Sequence, residues 1–264
     1  MTGAPPAIVF TDLDGTLLDH ATYSFDAAKP ALAHLKKHAI PLILASSKTA
    51  AEMASLRAET GFSHCPAIVE NGAGILEPES AVGLGSNEAI HYKLVDLLNS
   101  LPPRLREQFS GFSDWSVAEL SRRTGLPEAA ATNAAKRRFS EPGIWSGSEK
   151  ERREFEMLLA EKGIAARQGG RYLTLSFGAT KADRMREIVN RYSQNGERPR
   201  VIALGDAPND IEMLEAADTG VIVANPHGSP LPELAGEKEG RILRTAKPGP
   251  EGWNESVLWI FKET

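Results

Sequence analysis

The sequence predicts an α/β protein in which one domain is assembled from two separated stretches of chain, with an α+β domain inserted between them. Three observations predict this. Short β-branched apolar runs alternate with helical segments as far as residue 76, the rhythm then gives way to helical and irregular pieces, and it returns after Thr180. The first domain is expected to comprise residues 1–80 and 179–264, and the insert residues 81–178.

Ala7-Ile8-Val9-Phe10 reads as a buried parallel strand that stops at acidic residues, and Ile40 to Ala45 as a second that stops at Ser46-Ser47. Between them Ser24 is placed to cap a helix with apolar positions at Phe25, Ala28, Leu32 and Leu35, while Pro30 confines its first turn. A helix from Thr49 closes at Gly61, and Ala67-Ile68-Val69 supplies a third strand ending in Glu70-Asn71-Gly72. Residues 77–87 carry no period. Helical spacing then runs from Glu88 to Leu101, further pieces span Trp115 to Leu120 and Pro127 to Arg138, and another helix spans Ser148 to Lys162. The alternation of Tyr172, Thr174 and Ser176 with Leu173, Leu175 and Phe177 marks a half-buried antiparallel strand. After a helix from Thr180, strands at Arg200–Gly205 and Thr219–Val223 flank a helix around Ile211–Ala217.

Composition narrows the function. Across 264 residues, 30 Lys and Arg against 35 Asp and Glu give a net charge of −5, so no global basic field is available for nucleic acid. Hydrophobic residues at 41% and charged residues at 25% are those of a packed, water-soluble fold. No apolar run approaches membrane length, and Met1 to Pro6 lacks the basic residues of a signal peptide, so no membrane partner is expected. The single cysteine, Cys65, allows no internal disulfide and no zinc cluster; it reads as a small core hydrophobe, and the cytoplasm is the expected compartment. The six histidines form no metal pair, and Gly72-Ala73-Gly74 is too short for a dinucleotide or P-loop fingerprint. Oligomeric state is left open.

In open parallel sheets ligands bind beyond the carboxyl ends of the strands, and there the sequence places Asp12, Asp14, Ser46, Asp206 and Asp210. Each has a plain alternative as a turn or helix cap. Together they crowd four carboxylates at one edge, where mutual repulsion calls either for protonation of some of them or for a hard divalent cation, and an oxygen-only donor set favours magnesium. Lys181 stands at the head of a helix, where the macrodipole disfavours a cation unless an anion is near.

Asp12-Leu13-Asp14-Gly15-Thr16, Ser46, Lys181 and Gly205-Asp206-Ala207-Pro208-Asn209-Asp210 resemble, in order, the four motifs of the haloacid dehalogenase (HAD) superfamily of phosphohydrolases. Ser46 to Glu52, Glu70 to Ala73, Thr124-Gly125-Leu126 and Arg138-Phe139-Ser140-Glu141-Pro142 look like its mannosyl-3-phosphoglycerate phosphatase branch. The resemblance implies a Rossmann-like core with a parallel sheet and an inserted α+β cap of the Cof-like, or IIB, group (C2B type). It implies that Asp12 is the nucleophile, Asp14 the acid and base, and that Ser46 and Lys181 hold the phosphoryl group. Magnesium would be held by Asp12, the main-chain carbonyl of Asp14 and Asp206, with Asp210 outside them. One departure is Ala182, where many relatives carry Gly after the lysine.

The expected substrate is a small phosphorylated sugar acid, mannosyl-3-phosphoglycerate first. Lys48, Arg137 and Arg138 are candidates for its carboxylate, and Glu70 and Asn71 for sugar hydroxyls; the arginines equally suit a solvated helix end, and Asn71-Gly72 a plain turn. Glucosyl-3-phosphoglycerate, sucrose 6-phosphate and hexose phosphates are the alternatives within the class, and a non-catalytic metal- and anion-binding module the alternative outside it.

Overall fold

A computed structural model describes residues 5–78 and 88–262, so most of the aperiodic 77–87 segment and the 80/81 boundary lie outside the described residues. Two compact units result: Met1–Ser46, Arg57–Ser80 and Thr180–Thr264 form the first, and Ser47–Leu56 with Ala81–Ala179 the second. This grouping assigns Ser47–Leu56 to the second unit, whereas division of the sequence at residue 80 keeps it in the first.

The amino-terminal strand β1 (Ala7–Thr11) is buried at every position, as its apolar run requires. Helix α1 (Lys29–Lys37) buries Ala31, Leu32 and Leu35 and carries Pro30 in its first turn, where a missing N–H costs nothing. The expected cap by Ser24 does not form. Residues Asp26–Ala28 make a 3₁₀ turn instead, Ser24 Oγ accepts from the Asp26 amide, and the Ala31 amide donates to Asn254 Oδ1 at 2.9 Å. The helix start is thus satisfied from a residue 223 positions away, which no local pattern reveals. Strand β2 (Leu42–Leu44) is shorter than the apolar run because the Ile40 amide folds back to the Leu35 carbonyl. Thr49 and Glu52 exchange hydrogen bonds in a capping box at the start of α2 (Ala50–Thr60). Strand β3 (Ala67–Val69) pairs antiparallel with β4 (Gly74–Leu76), a short hairpin not anticipated from the sequence.

In the second unit α3 (Glu88–Asn99) and α4 (Pro103–Arg106) lead into β5 (Phe109–Gly111), followed by α5 (Val117–Thr124) and α6 (Glu128–Ala134). Strand β6 (Ser140–Trp145), helix α7 (Glu149–Glu161) and strands β7 (Ala165–Gly169) and β8 (Tyr172–Ser176) complete it. The strands form an antiparallel sheet in the order β5-β6-β8-β7. Leu94, Leu98, Leu101, Phe109, Phe155, Leu159, Leu173 and Leu175 make its core. Of its four strands only β8 shows alternation. In β6, Glu141 is fully buried, and His91 Nε2 and the Ser113 amide and hydroxyl each lie 2.7 Å from its carboxylate. Of the piece expected over Pro127 to Arg138, helix α6 occupies Glu128–Ala134, and the chain then extends to pair Ser140 with Ser176.

The chain re-enters the first unit at α8 (Lys181–Tyr192), with Thr180 and Asp183 forming its capping box. Then follow β9 (Arg200–Gly205), α9 (Ile211–Ala216), β10 (Thr219–Ala224), α10 (Ala235–Lys238), β11 (Ile242–Pro248) and α11 (Gly249–Ile260). The five-stranded sheet has the order β11-β10-β9-β1-β2 and is parallel throughout. Successive connections run to opposite sides of β1, so a switch point lies between β1 and β9, where such sheets bind ligands beyond the carboxyl ends.

Asn254→Ala is expected to lower the stability of the protein by about 1 kcal/mol through loss of the α1 start. Ser24→Ala, at an exposed turn, is expected to cost a few tenths at most. Chemical denaturation of both variants checks the ranking, and the reverse order would restore Ser24 as the cap.

Candidate functional site

Register builds the site. Thr11 pairs with Leu204, and the Asp12 amide donates to the Leu204 carbonyl at 2.9 Å, so Asp12 leaves β1 beside the point where Gly205 and Asp206 leave β9. Asp12, Asp206 and Asp210 are all buried, and each offers an oxygen within 4.8 Å of the others. Lys181 reaches into the same place. Its Nζ lies 2.6 Å from Asp12 Oδ1 and 2.7 Å from Asp210 Oδ1, with its side chain 1% exposed.

Each carboxylate is also tied from behind. Thr16 Oγ1 donates to Asp206 Oδ1, and Asn225 Nδ2 donates to Asp206 Oδ2 at 2.7 Å. Asp210 Oδ2 accepts from the amides of Asp206 and Ala207, closing the turn that carries both acids. Behind Asp12, the Trp253 indole N–H donates to Thr11 Oγ1 at 2.9 Å, and that hydroxyl donates to the Asp12 carbonyl at 2.7 Å. The backbone from which Asp12 projects is therefore fixed by a buried chain of hydrogen bonds.

The charges do not balance. Burial pushes the Asp12 carboxyl well above its ordinary range, against the pull of the Lys181 ammonium, and the neighbouring Asp210 and Asp206 push it further. Burial raises Asp206 too, against hydrogen bonds from Thr16 and Asn225. Burial works against the charge on Lys181, but Asp12 and Asp210 together outweigh it, so the ammonium is held more firmly than in water. One cation thus faces three acids. An all-oxygen donor set with an excess of negative charge suits a hard divalent cation, and the residues present fit one.

The other expected residues are placed as follows. Asp14 is half-buried and its side chain is not in the three-acid group; the metal contact expected of it is through its carbonyl. Ser46 is 1% exposed at the end of β2, its amide bonded to the Ile68 carbonyl. Glu70, at 2% exposure, and Asn71 form the turn after β3, and Asn71 Oδ1 accepts from Asn209 Nδ2 at 3.0 Å. Lys48, Arg137 and Arg138 belong to the second unit and are half-buried there. Arg137 donates to the Ser47 carbonyl and lies over the Phe112 ring at 5.5 Å. Cys65 is buried, and burial pushes its thiol up, away from reactivity. No helix among the described residues is long and apolar enough to cross a membrane.

Sequence reading passed over Asn225, Trp253 and the Asn71–Asn209 contact. Asn225 follows β10 as Asp206 follows β9, so the strand-end rule applied once more would have singled it out. Nothing near Trp253 in sequence links it to Thr11.

In structure the whole chain is similar to sucrose-phosphatase from Synechocystis sp. PCC6803, solved with sucrose and phosphate (15% identity, TM-score 0.62, 99% of each chain covered). A haloacid dehalogenase-like hydrolase from Bacteroides thetaiotaomicron matches at 19% identity and TM-score 0.60, over 97% of this chain and 99% of that one. A sugar phosphatase of HAD subclass IIB, BT4131, matches at 16% identity and TM-score 0.61, over 97% and 99%. At these identities the likeness is one of fold. The family profile described as haloacid dehalogenase-like hydrolase matches residues 9–111 and 147–229, a span that includes Asp12, Ser46, Lys181, Asp206 and Asp210. With most of its length matched, and with its buried acids converging at the strand ends, the chain belongs to the haloacid dehalogenase-like hydrolases.

Proposed function

We propose that the protein is a magnesium-dependent phosphomonoesterase acting on a phosphorylated sugar, with mannosyl-3-phosphoglycerate as its first substrate. The observation that carries this reading is the buried cluster of Asp12, Asp206 and Asp210 around the Lys181 ammonium, with Asp12 projecting from a fixed backbone. Phosphoryl transfer needs positioning and charge compensation above all, and this cluster supplies both.

The Asp12 and Asp206 carboxylates and the Asp14 carbonyl would hold magnesium, which when bound withdraws charge from the phosphoryl oxygens. Asp12 attacks phosphorus, and the bond to the sugar-acid oxygen breaks as Asp14 gives that oxygen its proton. Asp14, now a carboxylate, takes a proton from the water that attacks the aspartyl phosphate. Phosphate leaves, and both residues return to their starting states. Lys181 holds the Asp12 carboxylate in place and balances charge on the transferring group, to which the Ser46 hydroxyl donates a hydrogen bond.

Two observations support the substrate class. The structural neighbours include a sucrose-phosphatase and a sugar phosphatase, and the motifs at Glu70–Ala73 and Arg138–Pro142 look like those of the mannosyl-3-phosphoglycerate branch. Lys48, Arg137 and Arg138 are the cations proposed to meet the substrate's carboxylate.

Asp12→Asn, nearly isosteric, is expected to reduce phosphate release to background while circular dichroism stays that of the folded wild type and the thermal unfolding midpoint falls, because the Lys181 ammonium loses one of its two charged partners; undiminished turnover would remove Asp12 as nucleophile. Chelation of divalent cations is expected to abolish phosphate release and added magnesium to restore it, so activity that survives exhaustive chelation would defeat the metal assignment. Initial rates on mannosyl- and glucosyl-3-phosphoglycerate, sucrose 6-phosphate and a hexose phosphate panel identify the substrate. With a phosphoglycerate substrate, Arg137→Gln or Arg138→Gln is expected to raise KM by about tenfold or more, the loss of a charge-assisted contact, and to leave KM for a neutral sugar phosphate near its original value. Equal effects on both would count against the clamp.

A further inference from the structure

The turn after β3 is built in an unusual way. Glu70, Asn71 and Gly72 have φ of 52°, 58° and 92°, three left-handed residues in succession, and the described residues contain no other such run. Asn and Gly accept this region readily, but Glu does not. Such a conformation persists only where the surroundings impose it.

The surroundings here are the elements that carry the catalytic motifs. The Asn71 amide donates to the Ser46 carbonyl at 2.9 Å. Asn71 Oδ1 accepts from Asn209 Nδ2 at 3.0 Å, and Asn209 stands in the turn between Asp206 and Asp210. Gly72 lies against the head of α8 so closely that a Cβ on it would fall 2.1 Å from the Thr180 carbonyl carbon and 2.4 Å from the Lys181 amide nitrogen. Arg184, one turn into α8, donates to the carbonyls of Gly72 and Ala73 at 3.1 and 3.3 Å. One four-residue turn therefore touches the end of β2, the Asp206–Asp210 turn and the start of the helix that bears Lys181. A hairpin needs none of these contacts to reverse direction.

We propose that Glu70–Asn71–Gly72 is a positioning clamp, with Asn71 as its central residue, that sets Ser46, the Asp206–Asp210 turn and Lys181 in mutual register. The inference deepens the phosphatase reading and rests on it for the clamp's purpose. Asn71 acts through Asn209 and the backbone of Ser46 and does not touch substrate, in contrast to the sugar contact its position after β3 suggests.

The test compares Asn71→Gly, which keeps the left-handed backbone and removes the acceptor, with Asn71→Asp, which keeps an oxygen at the same place. In steady-state phosphate release, Asn71→Gly is expected to lower kcat by about tenfold with KM changed less than about twofold, and Asn71→Asp to recover most of the loss. In hydrogen–deuterium exchange without substrate, Asn71→Gly is expected to speed exchange in the segments spanning residues 180–184 and 206–211, and Asn71→Asp to restore it. A rise in KM at constant kcat would make Asn71 a substrate contact and overturn the clamp. So would unchanged exchange in both segments. Wild-type protein that releases no phosphate from any member of the panel would count against the phosphatase reading, and the exchange comparison alone would then decide whether the clamp exists.

Discussion

A single buried ammonium, set among more negative charge than it can neutralise, is the constraint on which the rest of the structure depends. Lys181 bonds to Asp12 and Asp210 at 2.6 and 2.7 Å, almost wholly out of water. Removing one partner from such a group leaves a buried charge uncompensated, at a cost of about 3–5 kcal/mol, so the three side chains are bound to one another's presence. Yet Asp206 adds a third acid that Lys181 does not contact directly. Two carboxylates around one lysine would be a structural brace. The third, converging within 4.8 Å, leaves more carboxylates than the lysine can pair with, and the proposed metal site rests on that excess.

That arrangement arises from topology before it arises from side chains. Because β1 and β9 are parallel neighbours in register, the residues that follow them emerge side by side, although almost 200 positions separate Asp12 from Asp206. Lys181 comes from a third place, the start of α8. There its backbone meets the turn after β3, and its ammonium crosses to Asp12 and Asp210. Packing behind the cluster serves the same end, as with Trp253, whose indole is fully buried and whose N–H anchors Thr11 and through it the Asp12 carbonyl.

The parts of this design legible in the sequence were those with a local signature. Apolar runs that stop at acids revealed β1 and β9 together with the residues beyond them, and helical spacing revealed α3 and α7 in the second unit. The family assignment could be expected for the same reason, since the motifs are short, ordered and chemically specific. What stayed hidden is held by distant partners. Strand β6 carries Glu141, whose buried carboxylate is satisfied by His91 and Ser113, and β7, exposed along an edge, has no apolar face to display. Asn254 replaces the expected Ser24 cap from across the unit, and Asn71 finds Asn209 138 positions away. Periodicity reports what a residue does for its own element; it is silent where a side chain serves another.

The two acids of Gly205-Asp206-Ala207-Pro208-Asn209-Asp210 show how far the division of labour goes. Asp206 accepts one neutral donor on each oxygen, from Thr16 and Asn225, which orients the group but neutralises none of its charge. Asp210 is consumed differently: one oxygen takes the Lys181 ammonium and the other the amides of Asp206 and Ala207. Its carboxylate folds so tightly onto the turn that a Cβ at position 205 would lie 2.5 Å from its own Cβ, which makes glycine the residue that permits the fold. Asp206 is thus held by neutral donors, the arrangement its proposed role toward a metal calls for, while Asp210 pairs with the lysine that also holds Asp12. Two identical side chains four residues apart are set apart by what their oxygens already hold: neutral side-chain donors on Asp206, an ammonium and two amides on Asp210.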